Sequence, residues 1–162
     1  MKHLKLMTTA TFLFCLALLN FSCSSDDDSS SSEDLETFIR FTVDGTMYEF
    51  DDIASAASQN KSINGQNGLS EDEDYGFISI WFPLEMSTGT FDFTGDFFDE
   101  GDYKLRLESN PLNVDTEWAT GGSVTLDSVD SDFITGTFTA TLVNEDGETI
   151  NLENGEFKAF GI

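Results

Sequence analysis

The side chains of this sequence best suited to holding a ligand are aromatic: Trp81, Trp118 and the cluster Phe91, Phe93, Phe97, Phe98 and Tyr103. Exposed rings on a β-sheet stack on the apolar faces of sugars, whereas buried rings fill cores. Phe91 and Phe93 alternate and Trp81 lies inside an apolar run, which predicts core for most of them. Trp118, between Glu117 and Ala119 with Gly121 and Gly122 just beyond, is the ring expected to reach solvent, followed by Phe97 and Phe98 between Asp96 and Asp99. Hard cations want clustered carboxylate and carbonyl oxygens. Asp72 and Asp74 within Glu71-Asp72-Glu73-Asp74, and Asp127 with Asp130 and Asp132, each place several such oxygens in one stretch. Neither stretch has the EF-hand's alternating ligands, central Gly and terminal Glu. The expectation is solvated acidic loops and no cofactor, with weak, stability-linked calcium binding as the alternative.

The elements that carry these side chains follow an N-terminal segment of a different kind. Lys2, His3 and Lys5 form a basic start, and Leu6 to Leu19 is mostly apolar. That is the layout of a signal peptide. The run falls short of the roughly 20 residues a bilayer span needs, and Ser and Asp follow it in place of a basic flank. Leu19-Asn20-Phe21-Ser22-Cys23 resembles the lipobox of bacterial lipoproteins, with a small residue before the cysteine, although Leu19 stands one place earlier than in that family and Asn20 and Phe21 fill the intervening positions. The resemblance implies cleavage after residue 22 and a diacylglycerol thioether on Cys23, hence a partnership with a membrane. Residues 23–37 then form a tether. Ser24 to Ser32 holds only Ser and Asp, and without apolar side chains nothing offsets the entropy of ordering it. The run is similar to the Ser-plus-acidic segment of surface lipoproteins of the Bacteroidota, which implies an outer-membrane location with the domain facing outward in preference to the periplasm.

Export restricts the available chemistry. His3, the only histidine, leaves with residues 1–22, and Cys15 leaves with it. With Cys23 acylated, Ser-His-Asp and Cys-His mechanisms lack their base or nucleophile, and zinc sites built from His or Cys lack their ligands. Paired carboxylates, as in glycoside hydrolysis, are the remaining enzymatic alternative. Most acids sit in turns or on alternating strand positions, so the expectation is a protein that is not an enzyme. The net charge of −24 counts Lys2 and Lys5, so after cleavage it is −24 − 2 = −26. Five basic residues among so many acids exclude nucleic acid, whose phosphates need clustered Lys and Arg.

From Phe38 onward 162 − 37 = 125 residues remain, enough for one core. Their apolar pattern has period two. Strands are predicted at 38–43 and 46–50 around Asp44-Gly45, at 77–82, a nearly continuous apolar run ended by Pro83 and consistent with burial on both faces, and at 103–108, with Tyr103, Leu105 and Leu107 inward and the charges outward. Further strands are predicted at 123–126, 134–143, 149–152 and 156–160, the last two joined by a hairpin at Asn154-Gly155. Residues 51–68 read either as a short helix or as a small-residue strand. The expected fold is all-β, one antiparallel β-sandwich or partly open β-barrel covering 38–162. Val124-Thr125-Leu126, Ile134-Thr135-Gly136-Thr137-Phe138, Gly147, Asn154-Gly155 and Phe157 look like a C-terminal β-meander of small, uncharacterised Bacteroidota lipoproteins. That resemblance implies the fold and an envelope location and supplies no activity. The expected role is a lipid-anchored binding or structural module with a glycan or envelope protein as partner. Its alternatives are a surface glycan-binding module and, further off, a carboxylate-dependent hydrolase.

Overall fold

The computed structural model describes residues 36–94 and 101–162, so the leader, Cys23, most of the tether, Phe97 and Phe98 lie outside the described residues. Eleven strands run through them: β1 (Phe38–Val43), β2 (Thr46–Phe50), β3 (Asp52–Ala57), β4 (Lys61–Asn67), β5 (Gly76–Phe82), β6 (Gly89–Asp92), β7 (Lys104–Ser109), β8 (Val114–Trp118), β9 (Gly121–Val129), β10 (Phe133–Val143) and β11 (Thr149–Phe160). No helix occurs among the described residues. The strands form two antiparallel sheets, ordered β2-β1-β11-β10-β9-β6 and β3-β4-β5-β7-β8. The fold is therefore the sandwich of the two expected architectures.

Alternation decides which residues line the interior. Ile39, Phe41, Phe138 and Leu142 of the first sheet face Ile78, Ile80, Leu105 and Leu107 of the second, all fully or almost fully buried. The Phe82 and Phe157 rings meet across the sandwich with centroids 6.2 Å apart. Phe82 also meets Tyr103 edge to face. Tyr103, Leu105 and Leu107 point inward as their spacing requires.

The first hairpin also follows the sequence. Asp44 and Gly45 both take positive φ, 50° and 78°, the conformation a two-residue turn between twisted strands demands.

Two expectations need correction, and one open reading is decided. Residues 149–160 form one strand where two were expected. Asn154, at φ 51°, and Gly155 make a bulge inside it. On β10 the pairing passes from Phe138↔Gly155 to Ala140↔Leu152, so Glu153 and Asn154 together oppose Thr139. The extra residue moves the inward parity from Ile150 and Leu152 to Phe157 and Ala159, a break in pattern that imitates a turn. Residues 51–68, left between helix and strand, hold the β3–β4 hairpin, in which Ile63 is fully buried. Lys104, expected in water, is 4 % exposed. Trp118 lies over its ammonium, and Asp102 stands 3.8 Å away.

Candidate functional site

The outer face of the second sheet is built from every second residue of four neighbouring strands. Ser62 and Asn64 of β4 stand opposite Trp81 and Ser79 of β5. Ser79 and Trp81 in turn stand opposite Arg106 and Lys104 of β7, and Arg106 stands opposite Trp118 of β8. Registration alone thus gathers two indoles, two cations and three small polar side chains on one surface. Trp81, expected in the core, sits here because its inward neighbours Ile80 and Phe82 take the buried positions of β5.

The two indoles pack edge to face, 5.3 Å between centroids and 86° between planes. Both are half-buried, so each keeps area open to solvent. The Trp81 Nε1–H donates to Ser79 Oγ at 2.6 Å, and the Ser79 hydroxyl donates to Asn64 Oδ1 at 2.6 Å. That relay orients the Trp81 ring and aligns the Asn64 amide beside it. The Lys104 ammonium lies 5.9 Å from the Trp118 ring, and the Arg106 guanidinium 5.8 Å from the Phe77 ring. Both are cation–π distances.

Strand β8 carries the irregular backbone of the site. The β7–β8 register slips between Leu107 and Ser109, and Thr116 adopts φ 54°. A β-branched residue in the left-handed region is an outlier costing roughly 1–3 kcal/mol. In that conformation the Thr116 hydroxyl accepts from Arg106 Nη2 and donates to Glu108 Oε2, each at 3.3 Å. Arg106 Nε is buried and has no hydrogen-bond partner among the described residues.

The acidic residues singled out for cations do not converge. Asp72 closes a turn, its Oδ2 accepting the Leu69 N–H at 2.7 Å. Asp130 accepts from the Asp132 and Phe133 N–H groups and from the Ser128 hydroxyl. These bonds hold its carboxyl below the usual carboxylate range, the Phe133 N–H contributing most. Asp74, Asp127 and Asp132 are exposed. Among the described residues no group of three His, Cys, Asp or Glu side chains is placed to share a metal ion.

Glu108, Asp115 and Glu145 line a depression of about 250 Å³ beside β8. Asp115 and Glu145 are exposed, and Glu108 is engaged by Thr116. A second depression of about 370 Å³ lies over β9–β11, lined by Ser123, Thr125, Thr137, Thr139, Asn154 and Glu156 among others. It offers hydroxyls, with Phe138 beneath and no cation among its lining residues. A third depression, of about 280 Å³ over β1 and β11, brings Arg40, Phe41 and Asn154 together, but there Arg40 is paired with Glu156. The second-sheet face likewise joins aromatic, cationic and amide groups. Sequence reasoning marked Trp118 there and missed Arg106, Lys104, Ser79 and Asn64, because nothing local announces that β4, β5, β7 and β8 are neighbours. Comparison of the chain with family models, curated proteins and solved structures returns no match.

Proposed function

We propose that this chain is an exported, lipid-anchored module that binds saccharide through the outer face of its second sheet and performs no catalysis. The observation that carries the reading is the Trp81–Trp118 pair, flanked by Arg106 and the Asn64 amide on one surface, with Lys104 buried beneath Trp118. Sugars present an apolar face for ring stacking and a rim of hydroxyls for amides and cations, and this surface supplies both. The basic and apolar leader, the small residue before Cys23 and the Ser-Asp tether support anchoring through a diacylglycerol on Cys23, on the outward side of the outer membrane. A flexible tether on such an anchor lets a binding face sample glycan at a high local concentration.

The test is tryptophan emission of the mature full-length protein in detergent, titrated with a panel of neutral and acidic polysaccharides. Saturable change with at least one of them, abolished in Trp118→Ala, is expected. A flat response across the panel sinks the saccharide reading. The anchor is tested separately, by the mass on Cys23 of native protein and by membrane partition of Cys23→Ala. Unmodified Cys23, or unchanged partition, sinks that part. Proteolysis on intact cells, with a periplasmic protein as control, decides the leaflet. A domain that survives together with the control faces the periplasm.

A further inference from the structure

We infer that the saccharide taken by this face carries a carboxylate, of the uronate or sialate type, with Arg106 as its counter-charge. The inference rests on the saccharide reading above and adds the class of sugar.

The chain has 31 Asp and Glu against 7 Lys and Arg, so a cation on its surface is surrounded by candidate partners. Arg40 takes Glu156 at 2.6 Å and Lys104 has Asp102 at 3.8 Å. No described carboxylate lies within ion-pair distance of Arg106. Its guanidinium instead sits near the Phe77 ring, on the strand position opposite Trp118, and bonds only the Thr116 hydroxyl, at the long end of the range. Glu108, two residues on along the same face of β7, reaches Arg106 only through the Thr116 hydroxyl that bridges the two.

Arg106 Nε is a buried donor with no described partner, a condition that in folded proteins asks for an explanation. A carboxylate supplies one. The planar guanidinium fork matches two carboxylate oxygens, and because Nε is buried where the side chain stands, a bidentate pair through it requires the guanidinium to turn outward. The neighbouring groups fit the rest of such a sugar: Trp118 for the ring face, and the half-buried Asn64 with Ser62 for hydroxyls, while buried Ser79 only orients the amide. Arg106, which unlike Lys104 no described carboxylate pairs, suits one charge per sugar ring and is too little for a polyphosphate.

The experiment uses the mature full-length protein and tryptophan emission. The probes are polygalacturonate, alginate and polysialic acid, each paired with its methyl-esterified form, plus a neutral glucan. Polygalacturonate and alginate report a uronate and polysialic acid a sialate. At least one acid form is expected to bind tenfold or more tightly than its own ester, and Arg106→Gln to erase that difference while leaving the thermal melt in place. Should Arg106→Gln fail to fold, Arg106→Lys keeps the charge without the fork, and a several-fold loss of the acid preference is expected. If esters or the glucan bind as tightly as the acids, or the arginine variants keep the preference, the inference falls and the saccharide reading stands. If no probe changes the emission, both fall.

Discussion

The Trp81 indole N–H and the Asn64 amide are joined through a single hydroxyl, that of Ser79, with both links 2.6 Å long. Trp81 is thereby tied into its sheet by a buried polar relay. Trp118, which packs edge to face on it, belongs to the last strand of that sheet. The two rings should therefore separate in mutagenesis. Trp81→Ala strips an aromatic contact and leaves buried Ser79 without its donor, and it should cost about 2–4 kcal/mol in urea unfolding. Trp118→Ala should cost about 1–2 kcal/mol and abolish the emission response to polysaccharide. Equal losses of stability in the two variants would contradict this division of roles.

Thr116 is the place where fold stability has been given up for geometry. Its φ of 54° suits glycine, and relief of that strain opposes the usual entropic penalty of a glycine in a strand. Thr116→Gly should match or exceed the stability of the parent, whereas Thr137→Gly, on the exposed face of β10 and without a positive φ, should lose about 1 kcal/mol. Thr116→Gly should also weaken saccharide binding several-fold, since the hydroxyl that steadies Arg106 Nη2 and holds Glu108 is gone. Parallel urea titrations check the first statement and emission titrations the second. A Thr116→Gly variant as destabilised as Thr137→Gly would show that the left-handed backbone is not strained.

Much of the sandwich was legible because burial on one face leaves a period-two record. Residues 38–43 and 134–143 carry it and both are strands. The site was less legible. Trp81 looked like core because Phe77, Trp81 and the truly buried Ile78, Ile80 and Phe82 form one apolar run, and composition alone does not say which side a ring faces. Arg106 and Lys104 looked like ordinary solvated charges on an alternating strand. What changes their meaning is the non-local pairing of β7 with β5 and β8, which sets the indoles on the strand positions opposite them. Strands β4, β6 and β8 went unread and β3 was left between helix and strand, since their exposed, polar or small residues leave almost no apolar signature.

The bulge in β11 gives a test of why a hairpin signal failed. A Cβ added at Gly155 would stand 2.5 Å from the Phe138 carbonyl oxygen and 2.6 Å from its ring, so Gly155→Ala should cost at least about 2 kcal/mol. Asn154 supplies the positive φ and donates from its amide to Thr42 Oγ1 at 3.1 Å. Asn154→Gly keeps the backbone and should lie within about 1 kcal/mol of the parent, while Asn154→Val should lose about 2–3 kcal/mol. Thermal or urea unfolding ranks the three. If Asn154→Val is tolerated as well as Asn154→Gly, the left-handed residue is not what sets the register shift.

Asp130 makes the acid stability of the domain depend on the β9–β10 turn. Its carboxylate collects the Phe133 N–H, the Ser128 hydroxyl and the Asp132 N–H, which lower its folded-state pKa from an ordinary value near 3.8. The folded protein therefore binds that proton less readily than the unfolded chain does. The stabilisation it gives is complete above the unfolded value and is lost as pH falls through the folded one. Asp130→Asn keeps an acceptor oxygen in the turn but removes the charge, so parent and variant should converge in stability as pH is lowered from about 6 to about 2, with the parent ahead at the upper end. Urea midpoints of both proteins across that interval measure the difference. The many other exposed carboxylates act in both proteins and largely cancel in the comparison, which isolates the turn. A gap that stays constant with pH would mean that the three hydrogen bonds do not discriminate between the charged and neutral carboxyl.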